Sequence, residues 1–127
     1  MKVTDLQAVL LSCPMPTPVE LPFHGGKRTI FKRDALYVKV MGEDGMTGFG
    51  PGAASEPTAD FVNGPLRELL VGRDVSNPRG FIGEATSCLG GDAFAAAGAV
   101  EVALYDLWGR AEGCSVTEFL GGRKQDA

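Results

Sequence analysis

Near residue 54 the hydrophobic repeat changes once, from alternate positions to every third or fourth. That single change constrains the fold most. Before it, residues 3–11 carry Leu6, Ala8 and Leu10 on one side, with Asp5 and Gln7 on the other. A second strand is predicted over residues 30–41, where Leu36, Val38 and Val40 alternate with Tyr37 and Lys39. Gly42-Glu43-Asp44-Gly45 offers a tight turn, because Asp-Gly tolerates positive φ, and a short strand follows at residues 46–50. After residue 54 the pattern is helical. Strands first and helices afterwards predict an α+β domain, a three-stranded antiparallel β-meander followed by a helical bundle, with one sheet face packed on the helices.

Between the first two strands lie Pro14, Pro16, Pro18, Pro22 and then Gly25-Gly26. Proline removes a backbone donor and fixes φ, so this stretch is excluded from a helix or a central strand. Residues 13–27 are expected to form a long loop, and long loops in small domains tend to be functional.

The helical half starts with Ser55 or Glu56 before Pro57. One helix is expected over residues 57–63, broken at Gly64-Pro65, and another over residues 65–71, stopped at Gly72. Asn77 is the expected N-cap of a third, which holds Gly83 and ends near Gly90-Gly91. The strongest helix has Asp92 as its expected N-cap. Phe94, Ala97, Val100, Ala103, Leu104, Leu107, Trp108 and Ala111 form its apolar stripe, with Trp108 read as core. Asp106 and Arg110 are spaced for an ion pair, and Gly113 ends the helix. Ser115-Val116-Thr117-Glu118 is a capping box for a last short helix, closed by Gly121-Gly122. Gly98 is expected to permit close helix packing. The domain divides into residues 1–53 (meander), 54–122 (helices) and 123–127 (start of a linker).

Charge and cysteine content narrow the function classes. The net charge is −4, and the one cluster of cations, Lys27-Arg28 with Lys32-Arg33, is interrupted by Asp34. Nucleic acid is therefore not an expected partner. Cys13, Cys88 and Cys114 are widely spaced and form no CxxC pair, so free thiols in a reducing cytoplasm are expected. No segment approaches the length of a membrane span, and no signal peptide is read at the start. Gly48-Phe49-Gly50-Pro51-Gly52 is not a phosphate loop, since no Lys-Ser/Thr follows it. Glu101, Asp106 and Glu112 stand five and six apart, too far round the helix to share one face, and are read as solvated carboxylates. The lone His24 has no acidic or thiol neighbours suited to a metal site.

Three stretches carry a family resemblance. They are Lys2-Val3-Thr4-Asp5-Leu6 with the Pro-rich stretch after it; Leu36-Tyr37-Val38-Lys39-Val40 with Asp44-Gly45 and Gly48-Phe49-Gly50; and the run from Ala99 to Gly109, then Gly113, then Phe119-Leu120-Gly121-Gly122-Arg123. Together they resemble the N-terminal domain of mandelate racemase and muconate lactonizing enzymes, in the enolase superfamily. The likeness covers essentially the whole chain. One departure is Pro51, where the family often has an acidic residue after Gly-x-Gly. The resemblance implies a domain that caps a (β/α)-barrel, supplied in cis or in trans. The barrel would carry a Lys or His base and Mg2+, and would abstract the proton α to the carboxylate of a small molecule. It implies no catalytic and no metal-binding residue here: the family's Lys-x-Lys motif is absent, and Arg123-Lys124 does not replace it. The isolated chain is expected to be inactive.

On this reading residues 13–27 and 50–56 cover the barrel mouth. The substrate-contact candidates are His24, Arg28, Lys27, Phe23 and Phe49. Arg28 suits bidentate pairing with a carboxylate, and Phe23 suits excluding water. Each has a plainer alternative: a solvated loop histidine, a solvated cationic edge, local loop packing, and for Phe49 a core strand aromatic. The rival function is a truncated, non-enzymatic binding module that keeps the capping fold. A cap without its barrel exposes an apolar face, so self-association is expected.

Overall fold

The computed structural model describes residues 1–75 and 77–123, so the linker expected over residues 123–127 lies, after Arg123, outside the described residues. Three strands, β1 (Val3–Phe23), β2 (Gly26–Gly42) and β3 (Thr47–Gly52), form an antiparallel sheet in the order β1-β2-β3. The helical half follows: α1 (Glu56–Phe61), a π-helical turn (Val62–Leu66), α2 (Arg67–Leu70), α3 (Phe81–Leu89), a 3-10 turn (Gly91–Ala93), α4 (Phe94–Glu112) and α5 (Val116–Phe119). The α+β meander-then-helices architecture is as expected.

The helices pack on one sheet face. Leu6, Ala8, Leu36, Val38 and Val40 meet Val62, Leu66, Leu70, Val100, Ala103, Leu104 and Leu107 in one core. Both Val3 and Leu6 point inward, because the register slips between Val3 and Asp5. The tightest contact is between β3 and α4. A Cβ on Gly48 would lie 2.2 Å from the Ala103 carbonyl oxygen, and one on Gly50 would lie 2.3 Å from that of Ala99. The two repeats match: two strand residues advance about 6.7 Å and four helix residues about 6 Å. Alternate glycines of β3 therefore meet Ala99, Ala103 and Leu107 in turn. Gly98, expected at a close contact, faces only Ile82 Cδ1 at 3.9 Å, so the close approach belongs to the strand glycines instead.

Residues 13–27 are not a loop. β1 and β2 continue past the core as a two-stranded ribbon, turning at His24-Gly25 with Phe23 opposite Gly26. The prolines are tolerated because β1 is an edge strand. Their remaining cost appears as an irregularity, since the register jumps from Pro14↔Lys32 to Val19↔Ile30. Leu10, expected to be buried, is 41% exposed because the ribbon has already left the helical layer.

The helix boundaries match the expectation at Ser55 and differ from it at three other points, each with a local cause. Gly64-Pro65 does not break the first helix: the π turn absorbs the missing N–H and the steric demand of Pro65. Ser55 is the N-cap, its Oγ accepting from the Thr58 N–H at 3.3 Å. Asn77 caps a turn rather than a helix, accepting from the Arg79 N–H at 2.9 Å, and α3 starts only after Gly80 at φ 90°. Asp92 lies in the 3-10 turn, so Ala93 precedes α4. The Ser115–Glu118 capping box and the left-handed Gly113 are as expected. Trp108 is half-buried rather than core, packed against Phe119 with ring centroids 3.8 Å apart and the planes tilted by 46°. Phe94, at the start of the stripe, is exposed.

Candidate functional site

Four of the five substrate-contact candidates stand together at the ribbon tip, carried by the turn and the residues beside it. Phe23 and Gly26 close the turn, and His24 occupies it with Gly25, whose φ of 97° lets the chain reverse. Lys27 lies opposite Pro22, and its Nζ is 3.3 Å from Glu20 Oε2. Arg28 lies opposite Leu21, with its guanidinium 5.8 Å from the Phe23 ring centroid. That contact is a cation–π pair at an exposed site. It holds an Arg fork near an aromatic wall, and among the described residues no acid is paired with it, which suits carboxylate capture. Phe23 is 63% exposed.

Phe49 is elsewhere. It pairs with Lys39, eleven positions from Arg28 along β2, a span of about 36 Å at the usual strand rise. It is 48% exposed and lies on the sheet side away from α4, so it is not a core aromatic. Its N–H donates to Asp106 Oδ2 at 2.9 Å.

The second expected loop is shorter than residues 50–56, because Gly50-Pro51-Gly52 belong to β3. Gly52 pairs with Leu36, the point where the ribbon leaves the sheet. The connection after β3 therefore sits at the foot of the ribbon, at the same end of the sheet.

Two carboxylates of α4, Asp106 and Glu101, have structural partners. Asp106 also accepts from Arg110 Nε at 3.1 Å. Glu101 Oε2 accepts from the Ile82 N–H at 2.8 Å, in the first turn of α3, whose N-cap Gly80 has no side chain to do so. Asn63 covers the outer edge of β1, accepting from the Ala8 N–H at 2.7 Å and donating to its carbonyl at 3.2 Å. Apart from the Asp106–Arg110 pair, which the spacing indicated, these roles were not read from sequence, since each links separate elements.

On the ribbon, the Ser12 hydroxyl and then the Lys32 ammonium hold the Asp34 carboxyl below its usual value of 3.8. Cys13, Cys88 and Cys114 are free thiols. Among the described residues no three His, Cys, Asp or Glu side chains come together to hold a metal ion. No described helix is long and apolar enough to cross a membrane.

Residues 8–121 match the family model for the mandelate racemase / muconate lactonizing enzyme N-terminal domain. Chloromuconate cycloisomerase of Cupriavidus pinatubonensis is 31% identical over 137 aligned positions, covering 100% of this chain and 35% of that protein. An enolase-superfamily member from Polaromonas sp. JS666 superposes with TM-score 0.81 at 26% identity, over 98% of this chain and 34% of the other. A dipeptide epimerase from Methylococcus capsulatus, solved with Mg and the dipeptide L-Arg-D-Lys, superposes with TM-score 0.76 at 27% identity, over 95% and 35%. The chain spans about a third of the length of the curated relatives it matches. It belongs to the mandelate racemase / muconate lactonizing enzyme family, as an N-terminal domain of that family.

Proposed function

We propose that this chain is the capping and substrate-selecting part of an enzyme that removes the proton α to a carboxylate, with the base and magnesium held by a (β/α)-barrel. The observation that carries the reading is geometric. The ribbon and the connection after β3 leave the sheet at the same end, and neither is packed under the helices. Such an end can close over a barrel mouth, where the barrel strands present their catalytic groups. Arg28 would take the substrate carboxylate, and Phe23 and His24 would shield it from water. Lys27 is the weaker candidate, because Glu20 already neutralises it. Phe49 would contribute separately, from the sheet surface.

The reaction class is racemisation, epimerisation or cycloisomerisation, and the relatives include both an L-Ala-D/L-Glu epimerase and chloromuconate cycloisomerases. The test supplies a barrel in cis or in trans and follows loss of deuterium from the α position of dipeptides and of the lactone carboxylates that muconates cyclise to. Assembly should give magnesium-dependent exchange. Arg28→Ala should raise KM by about tenfold or more, the value of one charge-assisted carboxylate contact. An assembled cap and barrel that exchanges no carboxylate substrate refutes the reading. So does exchange whose KM ignores both Arg28→Ala and His24→Ala.

A further inference from the structure

The ribbon beyond the core has two unlike faces. Its outer stretch pairs Val19↔Ile30, Glu20↔Thr29, Leu21↔Arg28, Pro22↔Lys27 and Phe23↔Gly26, with no register shift among them. Partners across a ladder stand on the same face, and successive residues alternate between faces. Val19, Leu21, Phe23, Arg28 and Ile30 therefore share one face. Glu20, Pro22, Lys27 and Thr29 share the other. Two contacts agree with this division. The Arg28 guanidinium lies over the Phe23 ring, and Lys27 Nζ meets Glu20 Oε2, each a diagonal pair on its own face.

On the second face the charges are matched, since Lys27 and Glu20 neutralise each other. The first face is unmatched in both respects. Val19 and Leu21 are 37% and 39% exposed, Phe23 is more so, and Ile30 is half-buried. Contiguous exposed apolar side chains on a small domain mark a surface that something covers. Among them stands a single charge, Arg28, with no acid paired to it among the described residues. Taking that charge out of water without an anion is unfavourable. What covers this face therefore brings one negative group together with apolar surface.

Spacing separates the two parts. Arg28 shares its row with Leu21. Toward the tip, the next row on this face holds Phe23, already engaged with the guanidinium, and Gly26, which has no side chain. Toward the foot, the next row holds Val19 and Ile30 together, about 6.7 Å away at the usual strand rise. Roughly five C–C bonds span that distance. We infer that the substrate of the proposed site is a carboxylate with an apolar arm. Its carboxylate pairs with Arg28, and the arm runs toward the foot of the ribbon across Leu21 onto Val19 and Ile30. These three side chains then select among substrates. A hydroxylated arm is disfavoured because its polar groups lose water and meet no partner.

The inference rests on the reading that the ribbon tip meets substrate, but not on the reaction, so its test reads binding. On the assembled cap and barrel with magnesium, calorimetry compares propionate, hexanoate and gluconate. Hexanoate should bind about tenfold or more tighter than propionate, at about twofold or more per methylene for an arm covered mainly on one side. Gluconate should bind no tighter than propionate. Leu21→Ser and Ile30→Ser should each weaken hexanoate by about threefold or more, with propionate within about 1.5-fold and circular dichroism unchanged. Leu21→Met should keep the preference, and Arg28→Ala should weaken hexanoate and propionate alike. Thr29→Ala, on the other face, should change neither.

Equal affinity for hexanoate and gluconate overturns the inference, as does no binding of hexanoate at about 10 mM. So does a hexanoate affinity indifferent to both Leu21→Ser and Ile30→Ser. Loss of cap–barrel assembly in those variants assigns the face to barrel packing and also overturns it. Leu21-dependent binding of hexanoate, with no α-proton exchange on any carboxylate, refutes the proposed reaction and leaves the apolar arm standing. Exchange with no preference for an apolar arm does the reverse.

Discussion

Gly48→Ala is expected to be among the most damaging single-methyl additions available in this domain. The new Cβ would sit 2.2 Å from the Ala103 carbonyl oxygen and 2.4 Å from the Leu107 nitrogen. Ordinary carbon contacts lie at about 3.5–4.0 Å, so α4 or β3 must give by more than an ångström. Both nearest atoms are helix backbone, and no rotamer change moves them. Retreat of α4 would also loosen its close contact with Gly50, where an added Cβ would lie 2.3 Å from the Ala99 carbonyl oxygen. Overpacking typically costs about 1–3 kcal/mol, and a backbone clash belongs at or above the upper end. About 3 kcal/mol is a large part of the roughly 5–15 kcal/mol that holds a domain of this size. In urea the midpoint should fall by about 2 M, given a slope of about 1.5 kcal/mol/M. Gly98→Ala is the matched control. It lies inside α4 with its nearest neighbour at 3.9 Å, and should stabilise by about 0.5–1 kcal/mol through helix propensity. The reasoning fails if Gly48→Ala lies within about 0.5 kcal/mol of the parent, the usual scatter of a neutral change. It fails equally if Leu107→Ala rescues Gly48→Ala, since that would place the clash on a side chain.

Two further outcomes follow from the hydrogen bonds. Asp106→Ala removes the acceptor of the Phe49 N–H and the partner of Arg110, and should cost about 1–2 kcal/mol by denaturant unfolding; Asp106→Asn, which keeps an acceptor, should cost less. The Asp34 carboxyl should titrate below its usual 3.8 by NMR, with Ser12→Ala raising it more than Lys32→Ala does, and a reversed order would refute the assignment of cause. Because its folded value is depressed, whatever stability Asp34 contributes is present above pH 3.8 and is lost as pH falls through the folded value.

The fold was legible in the sequence where side chains repeat and not where a contact joins distant elements. Leu36, Val38 and Val40 announce a buried strand face, and all three are buried. Ser115 and Glu118 announce a helix start, because both partners lie within one turn. Asn63 could not be read this way: its partner Ala8 is 55 positions away, and nothing local marks an amide that will cover a strand edge. Glu101 and Asp106 looked solvated for the same reason, since each serves a backbone N–H on another element. The glycines of β3 were visible as a cluster, but their meaning depended on Ala99 and Ala103 of α4, on a separate element much later in the chain.

The ribbon shows the opposite failure, in which a correct local rule led to a wrong element. Proline does exclude a central strand, and β1 is not central. An edge strand loses nothing when a missing N–H would have faced solvent, and a register jump can absorb the rest between Pro14 and Val19. The distinction matters for function. A loose loop would hold Arg28 in many positions, whereas a paired ribbon holds it opposite Leu21, with its guanidinium over the Phe23 ring, and so pre-orders the group proposed to meet a carboxylate. The recognition proposed for the tip therefore depends on one structural fact, that β2 extends ten residues beyond the end of β3.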